Sequence, residues 1–198
     1  MSIDLNDAAS LLGSRICHDL ISPLGAISNG LELLAMSGIS DSPEMKLIEE
    51  AVESANARVR FFRVAFGASS AAQMLARAEI LRLIDGCYGT GRVKVRWQPP
   101  SDPSRTEAKT AFLALLCMES ALPQGGEIAI SADRGNWQLQ AFGPSIRYDP
   151  DLWATLTRDI GHDVMSSQVQ FILLREVLAA TGQSPLVGHS DSAVSLRY

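Results

Sequence analysis

The pair His18-Asp19 is the part of this chain with the clearest capacity for chemistry. A neutral imidazole is a good nitrogen nucleophile near pH 7, because its ordinary pKa of about 6.5 leaves most of it uncharged. If it is exposed, it can attack an electrophile, such as a phosphoryl group, that a second protein brings to it. Neighbours in sequence do not face each other on a helix. Asp19 therefore has two open roles, either accepting a hydrogen bond from the ring N–H and fixing its tautomer, or remaining a solvated charge.

The residues around His18 predict a long amphipathic helix from about Asp7 to Met36. Its apolar residues recur at spacings of 4, 3, 4 and 3, as Leu20, Leu24, Ile27, Leu31 and Leu34. This spacing is typical of the seam of a helical bundle. At about 100° per residue, His18 lies roughly 160° from the centre of the seam. We therefore expect its side chain to point into solvent and to be free to react. The alternative is that His18 is an ordinary surface histidine.

A second set of residues shares the helical face of His18 and predicts a docking surface. The set follows His18 at steps of 4, 3, 4 and 3 residues, as Ser22, Gly25, Asn29 and Glu32. Small and polar side chains let a partner's helix approach closely. Ile21 flanks this face and would supply an apolar anchor of the kind that dominates binding energy. The alternative is that Gly25 relieves crowding near Pro23 and that the polar positions are simply solvated.

A second helix is predicted to begin at Ser42-Pro43-Glu44, where proline takes the first helical position. Its own apolar seam has spacings of 4, 3, 4, 3 and 4, as Ile48, Val52, Ala55, Val59, Phe62 and Phe66. Two such helices form an antiparallel hairpin but cannot enclose a sizeable core. We therefore predict a homodimer in which two hairpins build a four-helix bundle. Phe61 lies on the opposite side of the helix from Phe62, and we expect it either to pack in the core or to contact a partner.

The remainder of the chain alternates between helix and strand patterns, so we predict a hairpin domain over residues 1–69 and a second domain over 73–198. The predicted helices cover residues 73–86, 106–121, a short segment after Pro150, and 164–180. The predicted strands cover residues 92–98, 127–132, 137–142 and part of 185–198. Together they predict an α+β fold, with helices on one face of a mixed sheet. We expect three tryptophans to fill its core, namely Trp97, Trp137 and Trp153.

Composition excludes several classes of function. The net charge of −5 argues against a nucleic-acid surface. No apolar run approaches the ~18 residues of a membrane span, and the first residues lack the basic start of a signal peptide. Three cysteines without metal-ligand spacing fit a reduced cytoplasm. We expect Cys17 to be a packing residue, and His162, Asp163 and His189 to be ordinary surface groups.

The stretch from Cys17 to Leu24 resembles the H-box of histidine kinases, Ser-His-Glu-Leu-Arg-Thr-Pro-Leu. More narrowly, Cys-His-Asp-Leu-Ile-Ser-Pro-Leu-Gly-Ala-Ile, followed by Asn29-Gly30, resembles ChpT-type histidine phosphotransferases of alphaproteobacterial cell-cycle phosphorelays. The resemblance extends over essentially the whole chain, although only the first helix carries a motif. It implies that His18 is the phosphorylated histidine and Asp19 its adjacent acid.

The order of elements after the hairpin resembles the ATP-binding domain of histidine kinases, but the nucleotide motifs are missing. Residues 141–145 read Ala-Phe-Gly-Pro-Ser where that family has Asp-x-Gly-x-Gly. Residues 164–168 read Val-Met-Ser-Ser-Gln where a second glycine motif belongs. The helix over 106–121 carries no Asn-box, and Glu119 is its only late acid. The resemblance therefore implies a degenerate ATPase-like domain without ATP binding or any cofactor of its own.

The resemblance implies a dimeric phosphoryl carrier in the cytoplasm. The receiver domain of a hybrid histidine kinase would give its phosphoryl group to His18, and receivers of response regulators, such as a master cell-cycle regulator, would collect it. The receiver would supply the Mg²⁺. Two alternatives stay open: an ATP-dependent histidine kinase with atypical motifs, and a non-catalytic dimer that sequesters a kinase or a regulator.

Overall fold

The computed structural model describes residues 5–37, 42–158 and 164–198, and it begins with an antiparallel helical hairpin. Helix α1 spans Leu5–Met36 and helix α2 spans Pro43–Ala65. The predicted start of α2 is confirmed, because Ser42 Oγ accepts a hydrogen bond from the Met45 backbone N–H at 3.2 Å. Within the described ranges, no helix is both long enough and apolar enough to cross a membrane.

Within one chain, α1 packs on α2 through a face that only partly coincides with the predicted seam. Its least exposed positions recur at spacings of 4 and 3, as Ser10, Ser14, Cys17, Ile21, Leu24, Ser28 and Leu31. Ser28 Oγ accepts a hydrogen bond across the hairpin from Asn56 Nδ2 at 3.1 Å. Leu20, Ile27 and Leu34 remain 46, 48 and 40 % exposed. Two of the five predicted seam residues, Leu24 and Leu31, therefore face α2, and the other three form an apolar stripe on the surface of the single chain.

The described residues after the hairpin form four helices and a five-stranded mixed sheet with the strand order β1-β2-β3-β5-β4. Strand β1 is parallel to β2, and the other neighbouring pairs are antiparallel. The helices are α3 Arg77–Tyr88, α4 Arg105–Ser120, α5 Pro150–Ala154 and α6 Val169–Ala180. The strands are β1 Val93–Trp97, β2 Gly126–Asp133, β3 Asn136–Phe142, β4 Leu186–His189 and β5 Ala193–Arg197. The predicted α+β fold is confirmed.

Two predicted helices begin later than their sequence patterns indicate. Gln73 and Leu75 are not helical, because their backbone groups bond to Arg105 at the start of α4 and to Pro103 just before it. The segment before α6 forms a short 3-10 helix over Ser166–Gln168. In the first case, the backbone groups that would start the helix have other hydrogen-bond partners.

The last turns of α2 belong to the core of the sheet domain. Phe61 is fully buried and stacks on Phe112 of α4, with ring centroids 4.5 Å apart. The prediction that Phe61 contacts a partner is therefore wrong, because its side chain has no exposed surface. Burying a phenylalanine contributes about 2–3 kcal/mol, which explains why α2 extends this far into the second domain. Packing is thus continuous across the predicted division at residues 69–73.

A buried lysine adds hydrogen bonds at the place where α2 packs against the second domain. Lys109 of α4 is only 3 % exposed. Its Nζ donates hydrogen bonds to Ser10 Oγ at 2.7 Å and to the Gly67 carbonyl at 3.0 Å. A buried ammonium group needs such partners to offset its lost hydration. The start of α1, the end of α2 and α4 are therefore joined at one point.

The three tryptophans lie in this core, as predicted. Trp97, Trp137 and Trp153 are each at most 5 % exposed. Trp97 lies 5.5 Å from Trp137 between ring centroids, and Trp153 packs edge-on against Phe171 at 5.1 Å. Such aromatic contacts stabilise a core beyond simple area burial. The second domain is therefore well packed in its own right.

Candidate functional site

His18 is carried on the exposed surface of α1. Its side chain is 83 % exposed, in the middle of a helix of 32 residues. The helical backbone fixes the direction of the Cα–Cβ bond, so exposure here follows from the register of the leucine and isoleucine positions. The expected orientation of His18 toward solvent is confirmed by this geometry.

Asp19 lies within hydrogen-bond reach of the His18 ring. Its Oδ1 is 3.3 Å from His18 Nδ1. A carboxylate can only accept, so the contact favours the tautomer that carries its proton on Nδ1. That tautomer leaves Nε2 with the free lone pair. Of the two roles left open by the sequence, the geometry favours the one in which Asp19 sets the tautomer.

Arg15 completes this arrangement and was missed in the sequence. Its Nε donates to Asp19 Oδ2 at 2.8 Å. The hydrogen bond from Arg15, and next the one from His18, hold the pKa of the Asp19 carboxyl below its usual range. Asp19 is therefore ionised throughout the neutral range. The signal that would have found Arg15 is its spacing, since residues four apart on a helix are neighbours.

The residues predicted to form a docking surface lie on the same side of α1 as His18. Ser22, Asn29 and Glu32 are exposed. Gly25 is half-buried, but a Cβ at this position would meet no heavy atom within 4 Å. Ile21 is also half-buried and lies toward α2. These residues therefore form one open surface on α1. That this surface binds a partner stays a prediction.

The other candidate residues lie away from this surface or are packed. Cys17 is 5 % exposed, and burial raises the pKa of its thiol, so the prediction of a packing residue is confirmed. His189 stacks on Tyr148 with ring centroids 3.8 Å apart. His162 and Asp163 lie outside the described residues.

Glu119, the late acid of α4, has a structural role at the joint between α2 and the second domain. Its Oε2 accepts a hydrogen bond from the buried Tyr88 hydroxyl at 2.8 Å. Arg58 Nη2 lies 3.8 Å from its Oε1, and the guanidinium of Arg58 also lies over the Tyr88 ring. Burial raises the pKa of Tyr88, and the nearby Glu119 raises it further. The acid is thus engaged with two protein side chains.

A family model described as the histidine phosphotransferase C-terminal domain matches residues 77–191, which is more than half of the chain. The protein phosphotransferase ChpT of Brucella abortus (strain 2308) is 36 % identical over 126 residues. That match covers 63 % of this chain and 60 % of the relative, so less than two thirds of the relative's length is represented.

Among solved structures, a bacterial phosphotransferase determined at 1.7 Å aligns with a TM-score of 0.72 and 25 % identity, over 100 % of this chain and 98 % of that one. Full-length ShkA in complex with AMPPNP aligns with a TM-score of 0.48 and 13 % identity, over 94 % of this chain and 44 % of that one. On the family model and the first of these structures, this chain belongs to the histidine phosphotransferase family.

Proposed function

We propose that this protein is a histidine phosphotransferase that relays a phosphoryl group between receiver domains through His18. The observation that carries the proposal is an imidazole 83 % exposed on α1, with one ring nitrogen beside an ionised carboxylate. Membership of the histidine phosphotransferase family supports the same activity. An exposed nucleophile on a rigid helix suits a reaction in which a second protein delivers the electrophile.

The transfer step uses the two nitrogens of the ring differently. The lone pair of His18 Nε2 attacks the phosphorus of the receiver's aspartyl phosphate. A P–N bond forms, the P–O bond to the aspartate breaks, and the receiver's carboxylate leaves with the bonding electrons. The ring keeps its Nδ1 proton and gains a positive charge, which then lies beside Asp19 Oδ1. Asp19 therefore stabilises the phosphorylated ring, and the reverse step passes the group to the next receiver.

We assign the Mg²⁺ of this reaction to the receiver and propose no cofactor for this chain. Phosphoryl transfer depends mostly on alignment and charge neutralisation, which a receiver that holds Mg²⁺ can supply. As the resemblance implies, the donor would be a hybrid histidine kinase and the acceptors would be response regulators, such as a master cell-cycle regulator. We propose that the relay works in the cytoplasm, in keeping with three cysteines that are all free.

We further propose that the protein acts as a homodimer. Apolar side chains on α1 and α2 remain exposed in the single chain, among them Ile16, Leu20, Ile27, Leu34, Leu47 and Ile48. A contiguous apolar surface of this kind marks an interface, and two hairpins related by a two-fold axis would cover it as a four-helix bundle. The stripe on α1 lies opposite His18, so dimerisation would leave the histidine accessible.

ATP binding is not part of the proposed function. Glu119 is engaged with Tyr88 and Arg58, and the glycine motifs expected of an ATP site are missing. Calorimetric titration with Mg-ATP should give a dissociation constant no tighter than millimolar, which corresponds to about −4 kcal/mol. A micromolar constant would favour the ATP-dependent kinase instead.

Incubation with a phosphorylated receiver, with and without ATP, tests the proposed function directly. The chain should become labelled without ATP, and His18→Ala should abolish labelling. Because His18 is exposed, the variant should keep its fold and its oligomeric state, and His189→Ala serves as the matched control. Labelling that survives His18→Ala contradicts the assignment. A wild-type chain that binds the receiver but is never labelled supports the sequestering protein.

A further inference from the structure

A groove of about 800 Å³ runs between the helical hairpin and α3. Ile21 of α1 lines one wall, and Ala57 of α2 and Gly86 of α3 also line the groove. A Cβ at Gly86 would lie 2.8 Å from the Cβ of Ala57, so only glycine permits this approach. The groove is therefore a fixed product of the packing between the two domains.

The groove concentrates positive charge. It is lined by four arginines from three helices, Arg60, Arg63, Arg82 and Arg105, and by two acids, Glu53 and Glu79. Among the described residues, none of these arginines forms an ion pair within 4 Å. The whole chain carries a net charge of −5, so this local excess opposes the overall balance. Guanidinium groups without partners favour an anionic ligand, because each presents a fork of donors to carboxylates or phosphates.

The groove lies beside the reacting histidine. Ile21 follows His18 by three residues, which is about 4.5 Å along the axis and roughly 60° around it. Both lie away from the apolar stripe of Leu20, Ile27 and Leu34. A protein that reaches His18 therefore approaches the side of the hairpin on which the groove opens.

We propose that this arginine groove, built from Arg60, Arg63, Arg82 and Arg105, binds the acidic surface that surrounds the phosphorylated aspartate of the incoming receiver. The inference rests on the proposed function. A domain that carries an aspartyl phosphate and holds Mg²⁺ with carboxylates presents concentrated negative charge next to the reacting atom. Complementary charge accelerates docking and selects orientation. The second domain, whose nucleotide motifs are missing, thus supplies one wall of the docking site.

The packing between the hairpin and the second domain holds the arginine groove in place. The Phe61–Phe112 stack and the contacts of Lys109 fix α2 against α4. These contacts hold Arg105 of α4 in place relative to the hairpin, and the close approach of Gly86 to Ala57 does the same for Arg82 of α3. A mobile second domain would lose this benefit, because its arginines would no longer hold a fixed position that selects the orientation of the receiver.

Charge reversal in the groove tests the proposal. Arg82→Glu changes an exposed residue of α3 that does not belong to the hairpin, and Arg60→Glu changes the facing wall on α2. Arg197→Glu, on the opposite face of the sheet, is the matched control. The initial rate of labelling by a phosphorylated receiver is measured against receiver concentration at low and high salt. Direct labelling of His18 by phosphoramidate, which needs no docking, reports the chemistry separately.

We expect Arg82→Glu and Arg60→Glu to raise KM for the receiver about tenfold at low salt, with a much smaller rise at high salt, because screening weakens such contacts. Labelling at saturating receiver and labelling by phosphoramidate should be unchanged. Equal KM values for wild type, both variants and the control overturn the groove proposal. A wild-type chain that no receiver labels overturns the proposed function instead. If inorganic triphosphate binds the wild type but not Arg82→Glu, and receiver KM is unaffected, the groove serves a free anion and the proposal is likewise wrong.

Discussion

The two exposed faces of α1 differ in chemistry, although they belong to the same helix. One face carries Ile16, Leu20, Ile27 and Leu34, and the other carries His18, Ser22, Gly25 and Asn29. Both are open to solvent in the single chain. Apolar surface gains about 25 cal/mol for each Å² that it buries, whereas small polar residues gain little from permanent contact. The apolar face therefore suits a lasting interface, and the polar face suits partners that bind and leave.

The largest effect is expected from a charge on the apolar face. In a symmetric bundle Ile27→Glu would bury one carboxylate from each chain, so we expect dimer affinity to fall by at least about a hundredfold. Sedimentation at micromolar concentration should show a monomer. The monomer should keep its sheet domain, since Ile27 is 48 % exposed in one chain. Leu33→Glu, which changes a residue 65 % exposed on the same helix but off the stripe, should remain dimeric. A dimeric Ile27→Glu protein would refute the distinction between the faces.

The next largest effect, on the rate of transfer, is expected from a bulky side chain on the polar face of α1. Gly25→Trp places a large side chain where a Cβ meets no atom within 4 Å, so the helix should tolerate it. The indole should hold a receiver away from His18 and slow transfer by about a hundredfold, because reacting atoms must meet within a narrow distance. Sedimentation should still show a dimer, and phosphoramidate should still label His18. Normal transfer from a receiver to this variant would place the docking surface elsewhere.

Most of the fold was accessible from sequence because local patterns and tertiary packing agree. Ser42-Pro43 starts α2 as predicted, and the turn Asp133–Asn136 joins β2 to β3, where Arg134 and Gly135 adopt positive φ. The helix predicted from Gln73 begins at Arg77 because a distant loop captures its backbone groups. Such non-local hydrogen bonds leave no periodic signal in the sequence.

Part of the candidate site could be predicted from the sequence for a related reason. Helical periodicity predicted the exposure of His18, because that exposure depends only on residues of the same helix. Periodicity did not reveal that Phe61 stacks on Phe112, because this contact joins residues 51 positions apart and depends on how two domains pack. The arginine groove is likewise assembled from three helices. Features that one helix determines could be predicted, and features that arise between helices could not.

We expect a smaller effect on the rate of transfer when the charge of Asp19 is removed. This change tests whether the polar face of α1 takes part in the chemistry as well as in docking. Asp19→Asn keeps an oxygen near His18 Nδ1 but removes the negative charge beside the ring. Since charge-assisted hydrogen bonds are about twice as strong as neutral ones, we expect transfer to slow by about fivefold. Nitrogen-15 NMR of the imidazole should show less of the Nδ1–H tautomer. An unchanged rate and tautomer ratio would mean that Asp19 is a solvated charge only.

The smallest effect at neutral pH is expected from Arg15→Gln. Arg15 holds the pKa of Asp19 below its usual range, so its removal should raise that pKa toward the ordinary value of about 3.9 for aspartate. Because the lowered pKa favours the charged form, any stability that it contributes is present above the ordinary pKa and is lost as the pH falls through the lowered one. At pH 7 Asp19 is ionised in both proteins, and transfer should differ by no more than about twofold. Below about pH 5 the Asp19 carboxylate of the variant should become protonated first, so the ratio of wild-type to variant rates should grow as the pH falls.

Carbon-13 NMR of the Asp19 carboxyl measures the pKa shift directly, with Arg15→Lys as a control that keeps the charge but not the planar fork. Identical Asp19 titrations in wild type and Arg15→Gln would show that Arg15 has no influence on the acid beside His18.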